Sequence, residues 1–191
     1  MTRSRKKYGS SNWGKIILVV LVISVVFGFV FDFAANKIEH AIYPKPQQYA
    51  ESVQKYSERF NVPEELIWAV IKTESGFDSS AVSSKGAVGL MQLTEDTFNE
   101  ISNQRLKEGL APGMRYDPDT NIRYGTYYLS YLYARYNNWD AAIAAYNGGL
   151  GNVDQWMGDG EKLSVDSIPF AETRNYVKKV NRARQKYEDL Y

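Results

Sequence analysis

Glu74 ends an apolar run, EELIWAVIKT, and opens the stretch ESGFDSSAVSSKGAVGLMQ that reaches Gln92. The C-terminal end of a helix carries partial negative charge, so a carboxylate there is disfavoured by roughly a few tenths of a kcal/mol. An apolar helix and that negative end both push a carboxyl pKa upward, which a general acid working near neutral pH requires. Gly76, Gly86 and Gly89 follow, and they let the backbone fold back close to the carboxyl group. A local rule broken beside a loop built for close approach marks a functional-site candidate. On position alone, a solvated helix-end residue is the competing account of Glu74.

Elimination narrows the chemistry. The chain has no Cys, and its single His, His40, lies ahead of the folded part. Thiol catalysis is excluded, a Ser-His-Asp triad is not expected, and neither is a zinc site, which draws on His or Cys. Asp117, Asp119 and Asn121 imitate the opening of a calcium loop, but Ile122 stands where Gly is needed and Tyr128 where Glu is needed. That segment reads as a helix cap. GGLG at 148–151 has no strand before it, so no dinucleotide site is expected. Carboxylate chemistry without metal or cofactor remains.

The elements that must position Glu74 are helical. Tyr49, Val53, Tyr56 and Phe60 recur at intervals of three and four, giving a helix over 48–60. Asn61 reads as the cap of the next helix, which Pro63 opens and Gly76 stops. Thr94 opens a helix to about Ser102, and a polar loop leads to Asp117. The YDPDTNI segment then caps a Tyr- and Leu-rich helix over 122–136. A short helix over 139–146 ends at Asn147-Gly148-Gly149, a loop runs to Pro169, and a last helix spans about 170–187 with Tyr176, Val177 and Val180 facing inward. With little strand periodicity, the exported part is predicted to be predominantly α.

Composition sets the surroundings. Five of the 23 bases and one of the 22 acids lie in residues 1–35, leaving residues 36–191 with 18 bases against 21 acids, a net charge of −3. A mildly acidic domain is a poor nucleic-acid binder, because such affinity rests on neutralising phosphates. The basic group Arg3, Arg5, Lys6, Lys7 and Lys15 precedes the run IILVVLVISVVFGFVF instead. Residues 1–15 therefore read as a cytoplasmic tail, 16–35 as a transmembrane signal anchor, 36–47 as a linker stiffened by Pro44 and Pro46, and 48–191 as one domain outside the membrane. A cleaved signal peptide is the rival; bulky and charged residues around Asp32-Phe33-Ala34-Ala35 favour an uncleaved anchor.

The stretch from Glu74 to Gln92 closely resembles the signature of the soluble, goose-lysozyme-like lytic transglycosylases: ES, a Phe two residues on, then A-x-S-x-x-G-A-x-G-L-M-Q. Three further motifs of that family follow in order, YDPDTNIRYGTYYL at 116–129, AAYNGGLGNV at 144–153 and PFAETRNYVKKV at 169–180. The resemblance covers about residues 48–187. It implies a lysozyme-like fold and cleavage of the β-1,4 bond between N-acetylmuramic acid and N-acetylglucosamine in peptidoglycan, leaving a 1,6-anhydromuramic acid end.

Residue by residue, the resemblance implies Glu74 as the acid. Ser83 and Gln92 would line the site and bind N-acetyl groups, Met91 would form an apolar wall, and Tyr146 and Asn147 would face Glu74. Glu172 would be a substrate contact or supporting acid, though a Glu beside Arg174 at a helix start can equally be a cap or ion pair. Glycan strands and the cytoplasmic membrane are the implied partners, with protein partners unspecified. Two enzyme readings stay open, a transglycosylase and a hydrolytic muramidase using Asp117 or Glu172 as second acid. A non-catalytic peptidoglycan-binding module is the third reading.

Overall fold

The structure, a computed structural model, describes residues 12–158 and 163–191. The basic residues Arg3, Arg5, Lys6 and Lys7 of the expected cytoplasmic tail lie outside the described residues. Helix α1, Trp13–Ile42, is a unit of its own, with none of its side chains buried. Its apolar part is long enough to cross a bilayer. The expected linker is mostly helix: α1 continues through 36–42, and only 43–46 separate it from α2, Gln47–Phe60. Pro44 restricts the residue just before it and leaves NKIEHAI free to stay helical.

The second unit, Tyr43–Tyr191, is built around α3, Glu64–Glu74. Leu66 to Ile71 are all buried, six consecutive residues, so this helix is apolar on every side and must be surrounded. α8, Ala171–Leu190, packs along it. α2 packs on α5, Pro118–Tyr136; α5 packs on α6, Trp139–Gly148, which in turn meets α8. A short α4, Glu95–Asn99, continues as a π-helical turn over Glu100–Arg105. Among the described residues there is no strand, only isolated antiparallel bridges at Val82–Val88 and Val88–Leu93.

Two further sequence expectations, both at helix ends, need correction. Asn61 closes α2 in the left-handed conformation (φ 52°) and caps nothing that follows; α3 begins after Pro63 without a side-chain cap. Asn tolerates that conformation and is a common helix stop. The expected loop after Gly149 contains α7, Leu150–Met157. Gly149 (φ +87°) turns the chain sharply, and Leu150, Val153 and Trp156 then return to the core at helical spacing. Asp117 does cap α5, its Oδ2 accepting from the Thr120 N–H at 2.9 Å.

The loop after α3 is fixed by one buried amide. Asn121, fully buried on α5, accepts from the Met91 N–H at 2.7 Å and donates to the carbonyls of Val88 at 2.9 Å and Arg115 at 2.8 Å. These bonds do for the loop what a strand ladder does elsewhere. Gly89 (φ +79°) makes room for the amide: a Cβ there would lie 2.5 Å from Asn121 Nδ2. Asn121→Ala strands the Met91 N–H and two carbonyls in the interior, and is expected to destabilise the domain by about 2–4 kcal/mol in denaturant titration.

Candidate active site

Glu74 is the last residue of α3, and the chain turns away immediately after it. Ser75 Oγ donates to the Leu90 carbonyl at 2.9 Å and accepts from the Phe77 N–H at 3.2 Å. Gly76 (φ +59°) and Phe77 (φ +74°) are both left-handed, and the Phe77 ring packs toward Trp68. A left-handed Phe is uncommon and is held only where its surroundings fix it. The reversal leaves the Glu74 carboxyl at the wall of an open cleft of about 290 Å³. That volume lies at the small end for ligand pockets, and the cleft is open to solvent.

Burial dominates the chemistry of Glu74, pushing its pKa up to about 7, while a hydrogen bond from Tyr176 pulls the other way. The Tyr176 hydroxyl donates to Glu74 Oε1 at 2.5 Å from α8, 102 positions along the chain. Its own pKa is raised well above the ordinary phenol value, by burial first and then by the facing carboxylate, so it stays a donor. Sequence reasoning placed Tyr176 in the core and missed this role. A Tyr among inward-facing residues of a helix carries no local signal of what its hydroxyl meets.

The other expected site residues divide. Ser83, Gln92, Tyr146, Asn147 and Glu172 line the cleft with Glu74. Gln92 is left-handed (φ +49°), and its amide N–H₂ is occupied by the carbonyls of Gly89 at 2.9 Å and Ala81 at 3.1 Å. Only its amide oxygen is left to accept from a ligand. Ser83 Oγ accepts from the Ala87 N–H at 3.1 Å, which shapes the turn. Asn147 is exposed at the cleft edge.

Tyr146 faces Glu74 as expected: burial first and then the Glu74 charge hold its pKa well above the ordinary phenol value, and both residues line the cleft, whereas Met91 differs from expectation. The Tyr146 hydroxyl donates to the Met91 carbonyl at 2.7 Å, so it braces the loop, and Tyr176 is the phenol that holds Glu74. Met91 is completely buried against Gly125 and forms no sugar-facing wall. An apolar residue next to a left-handed Gln points to the opposite side of the loop from it.

Glu172 is exposed at the start of α8, and Arg174 turns away from it to donate to the Ile168 carbonyl at 2.6 Å. Thr94 and Lys85 also reach the cleft. The sequence had offered Thr94 only as a helix opening, which it also is, accepting from the Thr97 N–H at 3.2 Å.

The transglycosylase SLT domain profile matches residues 51–167. The chain belongs to that family. It is 37% identical over 142 residues to the soluble lytic murein transglycosylase of Escherichia coli (strain K12), covering 71% of this chain and 22% of that protein. It is 31% identical over 192 residues to the membrane-bound lytic murein transglycosylase C of Serratia proteamaculans (strain 568), covering 86% and 52%. An inactive mutant of the lytic transglycosylase Slt from Pseudomonas aeruginosa superposes with a TM-score of 0.69 at 33% identity, covering 78% of this chain and 25% of that one. The chain thus spans about a quarter or less of the soluble relatives and about half of the membrane-bound one. The predominantly α, lysozyme-like fold expected from the motifs is the fold these SLT transglycosylases share.

The raised pKa of Glu74 in this SLT domain carries a stability cost of known sign. Between the ordinary carboxyl pKa of 4.5 and the folded value of about 7, the native state binds more protons than the unfolded state. Stability therefore falls as pH rises through that window, and the cost is complete above it. Glu74→Gln removes the charge, so it is expected to raise the melting temperature at pH 8. The gain, up to roughly 3 kcal/mol, should fade on acidification to pH 4.

Proposed function

We propose that this protein is a peptidoglycan lytic transglycosylase that cleaves the β-1,4 bond between N-acetylmuramic acid and N-acetylglucosamine and leaves a 1,6-anhydromuramic acid end. One observation carries the reading: a carboxyl group with a pKa near 7 lies at an open cleft edged with hydroxyl and amide groups. In the first step Glu74 gives its proton to the glycosidic oxygen as the C1–O bond breaks. The acetamido oxygen of the muramyl residue closes on C1 and stabilises the positive charge. In the second step the 6-hydroxyl of the same sugar attacks C1, the acetamido group reopens, and the Glu74 carboxylate takes the hydroxyl proton. Water is neither consumed nor required, and an internal nucleophile benefits from high effective concentration.

Tyr176 fits both halves of this cycle. Its O–H can donate to the acid's carbonyl oxygen or to the carboxylate, so Glu74 keeps its orientation while its proton leaves and returns. Glu172 in the same cleft is the observation that favours hydrolysis, since inverting and retaining glycosidases use two carboxyl groups. Asp117 does not support that alternative, because its carboxylate is occupied as the cap of α5.

The membrane-spanning length of α1 and the name of the membrane-bound Serratia relative support membrane anchoring, which we assign to the bacterial cytoplasmic membrane. The basic group ahead of the apolar run favours an inside N-terminus. On this reading the domain works outside, on glycan close to that membrane.

Product mass separates the two enzyme readings. Full chain in neutral detergent, given purified sacculi, is expected to release fragments lighter by one water than muramidase products. Glu74→Gln should lower turnover by roughly 10²–10⁴-fold. Fragments that all carry reducing muramic acid would overturn the transglycosylase reading, and a module that only binds would release nothing.

The pH profile tests Tyr176. The acid must be protonated in the first step, so kcat/KM should fall as pH rises through about 7. Tyr176→Phe removes a bond that favours the carboxylate, which should move that falling limb to higher pH. The same change should cut the rate at pH 6 by roughly tenfold to a hundredfold through lost orientation. A variant that loses only thermal stability, with limb and rate unmoved, would reduce Tyr176 to a packing residue.

A further inference from the structure

Among the described residues lining the cleft, Lys85 is the one base, beside the acids Glu74 and Glu172. It is exposed on a tight turn in which the Ser83 N–H donates to the Ala87 carbonyl at 2.9 Å and the Lys85 N–H to Ser83 Oγ at 3.3 Å. The turn fixes where the side chain starts, while the ammonium group meets no acceptor or acid among the described residues. Nor does it act on the acid: burial and Tyr176 account for the state of Glu74, and no cation contributes. A charge at the cleft that the protein itself does not use is available to a ligand.

N-acetylated sugar rings are neutral and give an ammonium group only hydrogen bonds. The negative charge of a muramyl strand sits on the lactyl arm at C3 of muramic acid. It is the arm's own carboxylate where the peptide is gone, or the free carboxylates of the peptide where one is attached. We propose that Lys85 binds a carboxylate carried on the muramyl lactyl arm, and so makes charge on that arm a determinant of which glycan the cleft accepts. The inference rests on the glycan reading of the cleft. It goes beyond it because position 85 is unspecified in the A-x-S-x-x-G-A signature, so the signature assigns it no role.

Binding tests this without turnover. Full chain carrying Glu74→Gln, in neutral detergent at low salt, is titrated with a soluble muramyl tetrasaccharide in three forms. One bears its peptides, one has a free lactyl carboxylate, and one has every carboxylate converted to a methylamide. Blocking the carboxylates is expected to weaken binding about fivefold, as for a partly exposed ion pair, and the difference should shrink in high salt. Adding Lys85→Gln should abolish the dependence on carboxylates, and adding Lys85→Arg should preserve it. The tighter binder of the two unblocked forms identifies which carboxylate is held. Equal weakening with and without Lys85→Gln, or none in either, overturns the proposal. Reducing ends in the product assay would remove the transglycosylase reading and leave this result standing.

Discussion

A carboxyl group kept dry enough to hold its proton near pH 7, yet open to a solvent-filled cleft, is the constraint on which the rest of this domain depends. Burial raises the pKa of Glu74, and burial is also what closes a site to substrate. The fold reconciles the two by placing Glu74 at the end of a helix that is buried on all sides. Leu66 to Ile71 supply the dry surroundings, and the chain reversal at Gly76 and Phe77 exposes one edge of the carboxyl. Tyr176, delivered by α8, supplies a neutral donor at 2.5 Å. A cation in that place would depress the pKa far more and remove the acid.

The cleft wall opposite has no sheet to stiffen it. Its backbone is held from outside by side chains: Asn121 of α5 takes the Met91 N–H and the Val88 carbonyl, Tyr146 of α6 takes the Met91 carbonyl, and Ser75 takes the Leu90 carbonyl. Two helices and the cap residue of a third thus grip Val88, Leu90 and Met91 of one loop. Apart from Ser75, which lies in the same stretch as the acid and its wall, the groups that align them lie 30 to 102 positions away.

That separation decides what could be read from the sequence. Helix periodicity located α2, α3, α5 and α8, because each has one face or more committed to the core. The Pro and Gly signals were less faithful. Pro44 did not shorten α1, Gly149 separated two helices rather than opening a loop, and Asn61 ended a helix rather than starting one. Glu74 was legible because it breaks a local rule, and Ser83, Gln92 and Asn147 only through the family motifs whose positions they occupy. Met91 was misread because residue type and order in a motif do not say which face of a loop a side chain leaves by. Tyr176 was invisible as a donor because its partner lies on another helix.

The hydrogen-bond inventory shows what the cleft has left for a ligand. Gln92 has given both amide hydrogens to the loop and keeps an acceptor. Ser83 has given its lone pairs to backbone N–H groups and keeps a hydrogen to donate. An N-acetyl group presents one N–H and one carbonyl, the complementary set. The bonds that shape the wall thereby also fix the sense of what remains, so structure and recognition are set by the same contacts. Glu172 stands apart from this: Arg174 donates to the Ile168 carbonyl instead, no partner for Glu172 is found among the described residues, and it lines the cleft one turn of α8 before Tyr176. A second carboxyl group that no bond within the wall restrains is poorly placed to fix an attacking water. The restrained pair, Glu74 with Tyr176, is what the proposed cycle, in which a proton leaves and returns to the same group, requires.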